Sequence, residues 1–221
     1  MMIAIEAMPD IAQFIQQFAI LAVPVLMAIT FHEVAHGYVA YLLGDPTAKT
    51  AGRLTLNPIK HLDPIGTLAL FLVKVGWAKP VPVNPRYFQN PRQGMILVSI
   101  AGPLTNFILA VAFAALFHLI VAMYGYMPRG GGSMGIIEPV LYMCQAGVLV
   151  NLGLGLFNLL PIPPLDGSNI LAGLLPPHLA QSYMQSAKYG FIILIVLFLT
   201  GAVHKVIVPV LYTLASWLLP L

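Results

Sequence analysis

Residues 11–43 have the sequence IAQFIQQFAILAVPVLMAITFHEVAHGYVAYLL, in which Glu33 is the only charged residue. The stretch exceeds the about 20 apolar residues that a helix needs to cross a bilayer. His32 and His36 lie close to Glu33, so three ionisable side chains fall within one predicted membrane helix. Ionisable groups are costly in that position, and their presence therefore indicates a functional site.

The composition indicates an integral membrane protein. Of the 221 residues, 59% are hydrophobic and 8% are charged, whereas an ordinary soluble domain carries about 25% charged residues. The net charge of +3 is small and does not suggest nucleic-acid binding. Cys144 is the single cysteine, so no internal disulfide can form.

Three further stretches are candidates for membrane helices. Residues 93–128 and 139–165 contain no charged residue, and residues 189–221 contain only Lys205. The last stretch fits either two short spans or one span followed by an interfacial helix. We therefore predict an all-α polytopic membrane protein with about four to six transmembrane helices. It would form a single integral membrane domain over residues 1–221, with a core at 11–175 and C-terminal helices at 180–221.

The basic residues indicate the orientation in the membrane. Seven of the ten Lys and Arg residues lie between positions 44 and 93, and such residues accumulate in cytoplasmic loops. The spans that follow bring the loop beginning at Pro161 to the same side of the membrane as the end of the first helix. We expect a multi-pass membrane protein with its site toward the cytoplasm.

The loop at 44–93 is predicted to contain a small β-hairpin or re-entrant element. Residues 51–56 alternate in polarity, which predicts a short strand or hairpin arm. Residues 68–75 are apolar but too few to cross the bilayer. Prolines hold residues 81–85 extended, and the edge of such a strand can receive an extended peptide. The alternative is a hairpin with a structural role alone.

His32 and His36 are predicted to bind a metal ion. Residues four apart on a helix lie about 40° apart around its axis, so both imidazoles can reach one ion. Two histidines at this spacing are typical of a zinc site, with Glu33 placed to take a proton from water. The alternative is two packing histidines beside an unrelated glutamate, which would be expensive in a membrane helix.

A catalytic zinc ion usually has three protein ligands, so a third is needed. The candidates are His61, Asp63, His118, Glu138, Asp166, His178 and His204. The predicted topology places His118 and Glu138 on the far side of the membrane, and His204 as well if residues 189–201 span. Asp166 is favoured over Asp63, because prolines hold the preceding segment extended and the following glycine permits a turn.

Several separated motifs resemble the site-2 protease family of intramembrane zinc metalloproteases, in its compact prokaryotic form without a PDZ or CBS domain. They are FHEVAHG at 31–37, GRLTLNP at 52–58, HLDPIGT at 61–67, GWAKPVPVNP at 76–85, AGP at 101–103 with Asn106, and NLLPIPPLDG at 158–167. They follow one another in the order that the family uses. FHEVAHG alone is moderately specific for the family, and its combination with NLLPIPPLDG is strongly specific.

The resemblance implies one Zn²⁺ ion held by His32, His36 and Asp166, with Glu33 as the general base and then the general acid. It also implies that Asn158 holds the substrate or stabilises the oxyanion, a role that suits an amide donor. The implied activity is endopeptidase cleavage in or near transmembrane segments of other membrane proteins. The expected partners are such a substrate and the lipid bilayer, and no nucleic acid.

Other motif residues are predicted to be structural. Asn106 and Gly102-Pro103 are assigned to helix packing and a kink, and His61 and Asp63 to the loop. The alternative function is a membrane zinc-binding or scaffolding protein without proteolysis. The presence of Glu33 argues against it, because a closed structural zinc site needs no base.

Overall fold

The computed structural model describes residues 11–73, 76–125 and 134–220. The helices in these ranges are α1 (Ile11–Leu42), α2 (Thr47–Thr50), α3 (Pro64–Val73), α4 (Pro91–Gly125), α5 (Met134–Asn158), α6 (Asp166–Leu174), α7 (Pro177–Gln185), α8 (Ala187–Leu199) and α9 (Ala202–Leu218). Short 3-10 turns at Pro58–Lys60 and Pro85–Tyr87 interrupt the long loop between α1 and α4.

The long helices α1, α4 and α5 form a central bundle in which each contacts the other two, and α9 packs on α5. Three helices of the described chain are long and apolar enough to cross a membrane, over Phe18–Leu42, Pro91–Tyr124 and Ile137–Asn158. The pair α7 and α8, bent by 62°, makes a fourth if it forms one broken span. The predicted all-α polytopic membrane fold is confirmed.

Small residues bring α4, α5 and α9 together. Their shared core consists of Ala110, Ala114, Phe117, Cys144, Val148, Leu152, Ala215 and Leu219. A Cβ atom on Gly147 would lie 2.5 Å from the ring of Phe113, so this glycine is needed for the close approach of α4 and α5. Tight packing of this kind stabilises helix association in lipid, where burial of apolar surface supplies little driving force.

The first helix ends at a glycine, as the sequence predicts. Gly44 has a φ of 101°, a left-handed conformation common just after a helix. The next N–H, of Asp45, donates to the carbonyl of Ala40 at 2.9 Å. The Asp45 carboxylate then accepts from the N–H of Thr47 at 2.9 Å and the N–H of Asn84 at 2.6 Å. This carboxylate therefore ties the start of the loop to a point near its end.

The prediction of a strand at residues 51–56 was wrong. These residues form turns and bends, and within the described ranges there is no strand, only an isolated antiparallel bridge between Leu62 and Ala78. The side chain of Arg53 is buried, so the alternation in polarity does not separate an inner face from an outer one. Of the residues 81–85 predicted to be extended, 81–84 belong to no helix or strand and Asn84 has extended backbone, whereas Pro85 begins a 3-10 turn.

Two other predicted segments are now defined. The apolar stretch at 68–75 belongs to α3 as far as Val73, and its last two residues lie outside the described ranges. In the C-terminal region, the helix break lies at Gly201, which has a φ of 71°, and Lys205 lies inside α9. A glycine allows this positive φ without strain, whereas a lysine in a helix does not interrupt it.

Candidate metal centre

Helix α1 presents His32 and His36 to α4 at the position of Gly102. A Cβ atom on Gly102 would lie 2.5 Å from Nε2 of His36 and 2.6 Å from Cε1 of His32. No side chain fits at this position without moving the imidazoles. Gly102 therefore clears the space that the two rings occupy, beyond the helix-packing role predicted from the sequence.

Asp166 reaches the same place from the start of α6. A tight turn connects α5 to α6, and the N–H of Leu165 donates to the carbonyl of Ile162 at 2.9 Å. A Cβ atom on Gly167 would lie 2.2 Å from the carbonyl oxygen of Leu159, so the chain passes close to itself here. This turn directs the Asp166 carboxylate toward α1.

Three donor atoms converge between α1 and α6. Oδ2 of Asp166 lies 3.2 Å from Nε2 of His32 and 3.3 Å from Nε2 of His36. The two Nε2 atoms lie 3.0 Å apart. In a tetrahedral zinc site with metal–ligand distances of about 2.0 Å, neighbouring donor atoms lie about 3.3 Å apart. The observed spacing thus fits three corners of such a tetrahedron.

The other nitrogen of each ring is already engaged. Nδ1 of His32 donates to Oδ1 of Asn106 at 2.6 Å, and Nδ1 of His36 donates to the carbonyl of Val98 at 2.7 Å. With the proton on Nδ1, each neutral imidazole directs the lone pair of Nε2 at Asp166. Lone pairs and a carboxylate that face one another can share a cation, and this arrangement is typical of metal-bound histidines.

The carboxylate of Asp166 completes this donor set. Its Oδ2 is buried and has no hydrogen-bond donor. An ionised carboxylate and two neutral imidazoles are ligands that zinc accepts, so the residues fit this ion.

Asn106 is the centre of a buried hydrogen-bond chain that links α1, α4 and α5. Its amide nitrogen donates to the carbonyl of Ala28 at 3.1 Å and to Oδ1 of Asn151 at 3.0 Å. Asn151 in turn donates to the carbonyl of Gly147 at 2.8 Å. Both amides therefore have a fixed orientation, which turns the oxygen of Asn106 toward His32. The predicted packing role of Asn106 was incomplete, and the role of Asn151 was missed.

Glu33 contacts the long loop. Its Oε2 accepts a hydrogen bond from the N–H of Val81 at 2.8 Å. One helical turn further, Gly37 allows Ala48, Leu54 and Val81 to pack against α1, since a Cβ atom there would lie between 2.8 and 3.1 Å from their side chains. The loop thus lies on the face of α1 that carries Glu33.

Asn158, the last residue of α5, is not among the residues brought together at this centre. Its amide nitrogen donates to the carbonyl of Leu154 at 3.0 Å, within its own helix. The predicted role of Asn158 toward a substrate stays a prediction.

Four of the other candidate ligands are engaged elsewhere. His61 is buried and bonds to the carbonyl of Thr55 through Nε2. Asp63 accepts from the N–H of Gly66 at the start of α3. His118 bonds to the carbonyl of Leu218, and Glu138 accepts from the hydroxyl of Tyr142. The contacts of His61 with Thr55 and of Asp63 with Gly66 agree with the structural role predicted for both residues.

Comparison with known proteins identifies relatives over most of the chain. The profile of Peptidase family M50 matches residues 20–202. YwhC of Bacillus subtilis is 46% identical over 192 residues, which cover 86% of this chain and 85% of that protein. Rip2 of Mycolicibacterium smegmatis is 31% identical over 186 residues, which cover 81% of this chain and 66% of that protein.

A third relative is archaeal. MJ0392 of Methanocaldococcus jannaschii, which is named a zinc metalloprotease, is 29% identical over 175 residues, covering 79% of this chain and 37% of that protein. No solved structure matches the chain. The family match covers well over half of the sequence and confirms the predicted resemblance. The chain belongs to peptidase family M50, the site-2 protease family, and is an intramembrane zinc metalloprotease.

Proposed function

We propose that His32, His36 and Asp166 bind one zinc ion and that Glu33 is the general base for peptide hydrolysis beside it. The observation that carries the proposal is the convergence of three donor atoms within 3.3 Å of one another. Hydrogen bonds to Asn106 and Val98 fix both rings so that only the Nε2 atoms face the carboxylate.

Glu33 would move the proton during hydrolysis. Zinc at this centre supplies Lewis acidity, which polarises the scissile carbonyl and makes water a better nucleophile at neutral pH. Because Oε2 accepts from Val81, we assign proton uptake to Oε1. As water adds to the carbonyl carbon, its proton passes to Glu33. The C–N bond then breaks, and Glu33 returns the proton to the leaving amine nitrogen.

The substrate is proposed to be a membrane-spanning segment that unwinds near the site, because a helix buries its carbonyl groups in its own hydrogen bonds. Residues 79–84 lie beside Glu33 and can hold such a peptide. The N–H groups of Lys79, Val81 and Asn84 are engaged, and prolines have none. Among the described contacts, this leaves the N–H group of Val83 and the carbonyl groups of Val81, Pro82 and Val83 to pair with a substrate.

Asn158 is proposed to rotate away from the carbonyl of Leu154 and donate to the substrate. It is the last residue of α5, where side chains are less constrained by the next turn. We further propose that the site is reached from the cytoplasm, because seven of the ten basic residues lie between positions 44 and 93. A membrane-impermeant reagent should then label the cysteine of a Lys60→Cys variant only after the cell membrane has been permeabilised.

The test of the base is Glu33→Gln, assayed on a membrane-embedded substrate. The variant should retain zinc and lose cleavage by about 10³-fold, within the range for a general acid–base group. Glu138→Gln is the matched control, because Glu138 is an exposed glutamate of α5. Cleavage by Glu33→Gln at the rate of the parent would refute the assignment.

The test of the metal ligands is Asp166→Asn. A neutral amide binds zinc more weakly than a carboxylate, so zinc content and cleavage should fall together. Substituting the exposed His178 by Gln serves as the control for a change outside the centre. Full zinc content in purified Asp166→Asn would exclude Asp166 as a ligand.

A further inference from the structure

The peptide group between Pro80 and Val81 is bonded at both of its polar atoms. Its N–H, from Val81, donates to Oε2 of Glu33 at 2.8 Å. Its carbonyl, from Pro80, accepts from Nη1 of Arg53 at 3.1 Å. A trans peptide is planar, so its N–H and C=O groups point in opposite directions and cannot turn independently. Arg53 and Glu33 therefore hold one rigid unit from its two sides.

Arg53 makes a second hydrogen bond to the same segment. Its Nη2 donates to the carbonyl of Lys79 at 2.6 Å, and the N–H of Lys79 donates to the carbonyl of His61 at 2.9 Å. The side chain of Arg53 is buried, with 7% of its surface exposed. Two donors on one planar guanidinium, bonded to successive carbonyl groups, restrain the orientation of residues 79 and 80 as well as their distance from Arg53.

Neither neighbour of Val81 can replace it as the backbone donor to Glu33. Pro80 and Pro82 flank it, and neither has an N–H group. The positive charge on the carbonyl side also polarises the peptide and strengthens the hydrogen bond that its N–H makes to a carboxylate. A buried arginine thus acts on Glu33 without touching it.

We propose that Arg53 is a positioning residue for Glu33, acting through the single peptide group that joins Pro80 to Val81. This inference rests on the proposed role of Glu33 as the base. Arg53 orients the Glu33 carboxylate toward the reacting water. The N–H group of Val81 transmits this orientation, because it is the group that bonds to Glu33. Lysine cannot replace arginine fully, because one ammonium group cannot reproduce the guanidinium's two hydrogen bonds, to the carbonyls of Pro80 and Lys79.

The first experiment compares Arg53→Met and Arg53→Lys with the parent enzyme, purified with zinc. Misplacing a catalytic group by about 1 Å costs about 10²-fold in rate. We expect kcat to fall by about 10²-fold in Arg53→Met and less in Arg53→Lys, with KM and zinc content within twofold of the parent. Arg86→Met, which changes an exposed arginine of the same loop, should behave as the parent does.

The second experiment observes the peptide itself. In protein labelled with ¹⁵N-valine, the amide of Val81 should exchange slowly with solvent, and more than tenfold faster in Arg53→Met. A general increase in exchange across the bundle would instead show a structural role and overturn the proposal. Val81→Pro removes the same N–H group while Arg53 stays in place, so its kcat should fall as in Arg53→Met.

A double variant separates this inference from the proposed function. If Arg53 acts through Glu33, adding Arg53→Lys to Glu33→Gln should cause less than a twofold further loss of residual cleavage, and a multiplied loss would overturn the inference. Parent-like cleavage by Glu33→Gln would defeat the proposed function. If Glu33→Gln is inactive but Arg53→Met and Val81→Pro cleave at the rate of the parent, only the role of Arg53 is refuted.

Discussion

Oδ1 of Asn106 lies 2.6 Å from Nδ1 of His32 and accepts a hydrogen bond from it, although the two residues are on different membrane helices. The amide of Asn106 cannot turn, because its nitrogen donates to Ala28 and Asn151. The ring of His32 is therefore oriented by residues that are not themselves candidate metal ligands. In metal sites, such partners set the affinity for the ion.

We predict that Asn106→Leu weakens zinc binding by about 10- to 100-fold, the usual effect of losing such a partner. Nδ1 of His32 would lose its acceptor, and both the tautomer and the ring angle would become free. The measurement is competition for zinc against a chelator of known affinity. The neighbouring substitution Thr105→Val should leave the affinity unchanged. An unaltered affinity in Asn106→Leu would show that the hydrogen bond has no effect on the site.

Gly102→Ala should disable the centre by steric displacement. The added Cβ atom would lie 2.5 Å from Nε2 of His36, so the rings or α4 must move. We expect zinc content and cleavage both to fall by more than tenfold. Gly153→Ala is the control, because there the added atom meets only the end of Leu211, at 3.3 Å. Equal behaviour of the two variants would contradict the prediction.

Gly190→Ala tests whether α8 holds the turn that carries Asp166. A Cβ atom on Gly190 would lie 1.9 Å from the carbonyl oxygen of Pro163, and Tyr183 of α7 donates to the carbonyl of Pro161 at 2.8 Å. Displacing α8 should move the turn, and we expect at least a tenfold loss of cleavage. Tyr189→Phe, at the adjacent exposed position, serves as the control. Parent-like cleavage would show that α8 is not needed to place Asp166.

Asp45 should give the loop a stability that depends on pH. Burial raises the pKa of Asp45, but hydrogen bonds from Asn84 and Thr47 outweigh burial and lower it from 3.8. A lowered pKa means that the folded state favours the charged form. The contribution is thus present above about pH 4 and is lost as the pH falls through the folded-state pKa.

Asp45→Asn should therefore reduce the free energy of unfolding by about 1–3 kcal/mol at pH 7. The difference from the parent should shrink as the pH falls below about 4. Thermal unfolding in detergent at pH 7, 5 and 3 measures both effects, with the exposed Glu138→Gln as the control. A difference that stays constant over this range would mean that the charge of Asp45 is not the cause.

The sequence allowed the convergence of His32, His36 and Asp166 to be predicted because the chemistry of metal-binding side chains is visible in the residue types. Histidines four apart and an aspartate after a proline-rich turn have few other uses in an uncharged stretch. The prolines also predicted that residues 81–84 form no helix. These features depend on local conformation, which individual residues determine.

The roles of Asn106, Asn151 and Arg53 depend on contacts between distant segments. Helices α1, α4 and α5 are apolar on all sides, so no hydrophobic periodicity shows which face is buried. A polar residue in such a helix could be noticed, but its partner could not be identified. The buried side chain of Arg53 likewise made the alternation at 51–56 misleading, since a basic residue in a loop is expected on the surface.

The hydrogen-bond chain through Asn106 and Asn151 has a consequence for the time at which the enzyme gains its activity. The two histidines leave the ribosome early, whereas Asn151 and Asp166 follow more than a hundred residues later. Until α5 has been inserted and has packed against α1 and α4, the carboxylate is missing and the ring of His32 is unsupported. With the proposed ligands and base, a newly made chain is therefore unable to cut its neighbours, or itself, until its own bundle is assembled.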